Sequence, residues 1–82
     1  MNKEDLGKVV VAAKCTNIEE EMIFNQKIFD FNRQTESDAI KGTSELKKDL
    51  PYVLEVLIEK DNIAAFIAYL GEFLPEASIQ EK

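Results

Sequence analysis

Of the 25 residues from Leu50 to Leu74, 17 are apolar and only five are charged. So dense an apolar stretch, in a chain of 82 residues with no histidine, no tryptophan and one cysteine, points to packing and partner binding rather than to chemistry. Its eight-residue run Ile63 to Leu70 is too short to span a bilayer, which takes about 17 to 25 apolar residues. It is therefore read as interior and contact surface, and no membrane span is expected. The length allows one domain, and a hydrophobic content of 45% is that of a folded globule.

Helical spacing recurs along the chain. Asn2 can cap a first helix near 3–14, in which Leu6, Val9, Val10 and Ala13 share a side, although Val9-Val10-Val11 would suit a strand as well. No second strand-like run stands out to pair with it. Thr16 and Glu19 have capping-box spacing, and Glu19-Glu20-Glu21 place negative charge at the positive end of a helix dipole. From there two adjoining stripes, Ile18/Met22/Phe29 and Phe24/Ile28/Phe31, run to about Gln34, and Phe24, Phe29 and Phe31 are expected in the core, with a partner-facing aromatic edge as the alternative. A short helix near 36–41 is expected, with Gly42 as its terminator. Pro51 then suits the first turn of a helix whose buried face is Val53, Leu54, Leu57 and Ile58. Asp61-Asn62 breaks and caps the next, in which Ile63, Phe66, Ile67, Leu70, Phe73 and Leu74 repeat at helical spacing before Pro75. The expected fold is all-α: a compact irregular bundle of four or five short helices forming one domain over 1–75, with a flexible tail over 76–82.

Composition argues against chemistry. There is no histidine, no paired-cysteine zinc site, no Gly-rich phosphate loop and no Ca-binding loop, so no catalytic residue, cofactor or metal is expected. Cys15 precedes a helix start, where a thiolate can be stabilised, but no base accompanies it and a buried thiol is the simpler reading. Sixteen acidic against ten basic residues give a net charge of −6, and the lysines are scattered, so nucleic acid is disfavoured as a partner. The first residues carry no convincing signal-peptide pattern, and a cytoplasmic location is expected.

The function that fits is binding without catalysis. The last helix is apolar around most of its circumference, and Phe66, Ile67, Tyr69, Leu70 and Phe73 are the candidate partner-binding residues, with Tyr69 and Phe73 as aromatic anchors. The alternative for the same five is the folding core. A small helical inhibitor of a soluble transcription or host-defence protein, and a homo-oligomeric structural module with the last helix as its seam, are competing readings.

The opening Met1-Asn2-Lys3-Glu4-Asp5-Leu6-Gly7, the Thr16-Asn17-Ile18-Glu19-Glu20-Glu21 helix start and the overall length together resemble the rIII lysis-inhibition family of T-even bacteriophages. That resemblance covers the whole chain but rests on no catalytic motif. It implies a cytoplasmic accessory antiholin that binds the cytosolic part of a phage holin and delays membrane permeabilisation. It carries over no binding residues.

Overall fold

A computed structural model describes residues 5–47 and 51–81. It overturns the all-α expectation. The chain is α+β, in the order β1 (Leu6–Ala13), α1 (Ile18–Thr35), β2 (Ile40–Lys47), β3 (Tyr52–Glu59), a 3-10 turn (Lys60–Asn62), α2 (Ile63–Phe73) and β4 (Ser78–Glu81). The four strands form one sheet in the order β2-β3-β1-β4, and every neighbouring pair is antiparallel. This is the split βαβ, ferredoxin-like arrangement, in which α1 connects β1 to β2 across β3 and α2 connects β3 to β4 across β1.

Three of the expected helices are therefore strands or turns. The 3–14 segment supplies β1, where Val9 and Val11 face inward opposite Val56 and Leu54 of β3. The β-branched valines lose less side-chain freedom on a pleated surface than on a helix, and β3 is the partner that the sequence did not reveal. The segment after Pro51 is β3 itself, with Tyr52, Leu54, Val56 and Ile58 all buried on one face. Its other face carries Val53 and Leu57, which are half-buried, and these fill the helical positions that misled the periodicity. No helix forms over 36–41 either, because Ile40 opens β2. The 76–82 stretch, expected as a tail, contributes β4, whose Ile79 lies opposite Val11 of β1. The expected cap at Asn2 lies outside the described residues.

The two longest expected helices are present. Asn17 caps α1: its side chain accepts from the Glu20 N–H at 2.9 Å, while Glu20 Oε1 accepts from the Thr16 N–H at 2.8 Å and the Thr16 hydroxyl at 3.0 Å. The reciprocal box thus sits one residue later than the Thr16/Glu19 spacing implied. At the other end Glu36 adopts the left-handed conformation (φ 53°), and the Glu36 and Ser37 amides donate to Arg33 O and Asn32 O at 3.2 and 3.0 Å. This is a Schellman-type stop in which glutamate occupies the position usually given to glycine. Asn32 then accepts from Ile40 N at 2.9 Å and donates to Ile40 O at 3.1 Å, fastening the end of α1 to the start of β2. Asn62 precedes α2 but caps it with no side-chain bond; its amide donates to Glu59 Oε1 at 3.2 Å instead.

Both helices lie on the same face of the sheet, and their buried residues join those of the strands in a single core. The ring of Phe31 meets Phe66 and Tyr69 edge-on at centroid distances of 5.2 and 5.4 Å, which locks α1 to α2. Gly7 admits the start of α2 onto β1: a Cβ there would lie 2.7 Å from Ile63 Cδ1. Among the described residues no helix is long and apolar enough to cross a membrane.

Candidate partner-binding groove

At the end of the sheet where β1 and α2 finish and α1 and β4 begin, the connections leave a groove of about 490 Å³. Its position follows from the topology. The end of β1 brings Ala13, Lys14 and Cys15; the first three turns of α1 bring Glu20, Ile23, Phe24 and Lys27; the exit from α2 brings Phe73, Leu74, Pro75, Glu76 and Ala77. Phe24 and Cys15 are buried in its floor, whereas Ile23 and Phe73 stand 51% and 43% exposed on its walls. Pro75 stops α2 and turns the chain toward β4, so Leu74 and Ala77 pack against the core from this side.

The walls are apolar and the charged groups sit around them. Lys14 and Lys27 bring positive charge, Glu20 and Glu76 negative. Hydrogen bonds from the Thr16 amide and then the Thr16 hydroxyl hold the Glu20 carboxyl below its usual range, so it is ionised at neutral pH. Burial, with smaller contributions from the charges of Glu20 and Glu21, pushes the Cys15 thiol up, the reverse of what a nucleophilic thiolate needs. Tyr69 does not line the groove but touches two residues that do. Its hydroxyl donates to the Lys27 carbonyl at 2.5 Å, and its ring lies 4.9 Å from that of Phe73. Burial and then the charge of Asp30 raise the Tyr69 hydroxyl's pKa. Among the described residues no group of three His, Cys, Asp or Glu side chains could hold a metal ion.

The five residues singled out from sequence part company here. Phe66 and Leu70 are completely enclosed, and Tyr69 is 9% exposed, so these three serve as core. Ile67 is half-buried and packs against that core. Phe73 alone of the five lines the groove. Ile23 and Ala77 were not singled out from sequence at all, and Phe24 and Leu74 were read only as packing residues. Phe24 and Ile23 belong to a helix that was read correctly, but nothing local signals that they meet a segment some 50 residues further along.

What this arrangement can do chemically is seat apolar side chains between Ile23 and the Phe73 ring while polar groups at the rim meet a charged or hydrogen-bonding backbone. No family model matches the chain, and neither a curated protein nor a solved structure matches it.

Proposed function

We propose that this chain is a non-enzymatic binding protein whose groove takes an apolar or amphipathic segment of another protein. The observation that carries this reading is the pair of exposed walls, Ile23 and Phe73, standing over the buried Phe24 with charge of both signs at the rim. A large aromatic left 43% exposed at a concave place, with its neighbour Tyr69 fixed by a hydrogen bond, is preorganised to receive a side chain without reordering its surroundings.

The resemblance to the rIII family names the partner to try first, the cytosolic segment of a phage holin. On this reading the protein works on the cytoplasmic side as an accessory antiholin. By binding a non-assembling holin state more tightly than the assembling one, it holds back permeabilisation to the extent of that difference in affinity.

The test is a titration of the purified chain with a fluorescent peptide of the holin's cytosolic segment, read by anisotropy, beside the variants Phe73→Asp and Ile23→Glu. Saturable binding that both variants weaken at least tenfold, with helix content and melting retained, supports the reading. Absence of saturable binding by the parent chain removes the holin as partner. Binding that is insensitive to both substitutions removes the groove.

A further inference from the structure

α1 carries two apolar stripes, and the fold uses one of them. Phe24, Ile28 and Phe31 go into the core, while Ile18, Met22 and Phe29 remain 66%, 65% and 41% exposed. At helical spacing these three fall within a narrow arc of α1, on the side away from Ile23 and Lys27 and therefore away from the groove. They extend over about 16 Å of helix at 1.5 Å per residue. Large apolar side chains aligned at this exposure mark a contact surface more often than scattered single ones do.

We infer that this stripe is the seam of a homodimer in which α1 packs antiparallel against α1 of a second copy. The charge pattern of the helix identifies the occupant. The first turn of α1 is acidic, with Glu19, Glu20 and Glu21, and its last turn carries Arg33, whose side chain is 79% exposed beside a loose 3.6 Å contact to Asp30. Flanking the stripe on one and the same side are Glu19, Gln26 and Arg33. In an antiparallel pair centred on Gln26, Glu19 of each copy meets Arg33 of the other at both ends. In the same register Met22 comes within one residue, about 1.5 Å along the axis, of level with Phe29 of the partner at two places, within reach of a thioether–ring contact. Parallel packing would instead set the acidic turns against each other. A closed two-fold pair is also the simplest way for one patch to cover itself. The net charge of −6 on each copy opposes association, and one helix face is smaller than a standard interface, so the dimer is weak.

The experiment is sedimentation of the full chain from roughly 5 µM to 1 mM, where an interface below standard size dissociates. A concentration-dependent dimer is expected. Met22→Glu abolishes it; Glu19→Arg and Arg33→Glu each weaken it about tenfold, because each change acts at both ends; and the double swap restores it to within about threefold. Ile23→Glu, on the groove side of α1, leaves it unchanged, which separates this seam from the groove. All of these residues are exposed, so circular dichroism and melting of the variants report intact folding. A monomer over the whole range overturns the inference, as does a dimer indifferent to Met22→Glu. Failure of the double swap to rescue overturns the antiparallel register.

Discussion

The division of Phe66 and Phe73 between core and groove can be tested directly. Phe66 has no exposed surface; its ring lies edge-on to Phe31 at 5.2 Å and stacked with Tyr69 at 6.5 Å. Phe66→Ala removes a ring held between the sheet and both helices, a site with little room to collapse. Truncations of this kind cost about 3 to 5 kcal/mol. The whole domain is expected to have about 4 to 12 kcal/mol of stability, from roughly 0.05 to 0.15 kcal/mol per residue. Phe66→Ala therefore removes from about a quarter of that stability to all of it. Phe73→Ala removes a ring already 43% exposed, whose main ring contact is Tyr69 at 4.9 Å. Its cost is about 1 kcal/mol, from partial apolar burial. The assay is urea unfolding followed by circular dichroism at constant m-value. A loss below about 1.5 kcal/mol for Phe66→Ala, against the range expected for a buried ring, refutes the core assignment. A Phe73→Ala loss equal to that of Phe66→Ala refutes the groove wall.

Other expectations follow from single contacts. Asn17→Ala removes the acceptor of the Glu20 amide and lowers stability by about 1 kcal/mol, seen as a fall in the urea midpoint. Glu36→Gly relieves a left-handed residue at an exposed helix stop and raises melting stability by about 0.5 to 1 kcal/mol; a decrease would mean that the Glu36 side chain has a contact of its own. Tyr52→Phe deletes a hydroxyl that donates to Glu45 Oε2 at 2.7 Å and accepts from Asn25 at 3.0 Å. Asn25 keeps its bond to Glu21 O and Glu45 is exposed to water, so the cost is about 1 kcal/mol rather than that of an orphaned buried pair. Alkaline pH destabilises. Burial raises Cys15, Tyr52 and Tyr69, with the hydrogen bond to Glu45 adding at Tyr52. The folded chain holds these protons more tightly than the unfolded one, so their contribution is complete below the unfolded values, about 8.5 for Cys and 10 for Tyr, and is lost as pH rises through the folded ones. The urea midpoint should fall progressively above about pH 9, and a midpoint constant to pH 11 would contradict the burial of these groups.

The sequence by itself determined α1 and α2. Their apolar residues recur at a period that only a helix satisfies over 10 or more residues, and in α1 acidic residues and a polar cap coincide with the start of that pattern. It also indicated that Phe24 and Phe31 would be buried and that Cys15 would be a buried thiol; it put Phe29 in the core as well, which is 41% exposed because its stripe faces away from the sheet, and the stretch from Leu50 to Leu74 supplies half of the buried apolar residues described. It did not determine the sheet. β3 buries Tyr52, Leu54, Val56 and Ile58 on one face, but Val53 and Leu57 on the other break the apolar/polar alternation and also complete a helical spacing with Leu54 and Ile58. The β-branched Val53, Val56 and Ile58 were the remaining local signal. β2, with Gly42, Thr43, Ser44 and Glu45, has almost no apolar pattern; it is a strand because the β3 backbone beside it offers a ladder of hydrogen bonds. Tertiary structure alone decided the groove, since Cys15, Ile23 and Phe24 meet Phe73 and Ala77 only after β1 and β4 pair at the same end of the sheet. Strand pairing is a long-range choice made by the whole chain. Helix periodicity is local, and a sequence displays on its own only what is local.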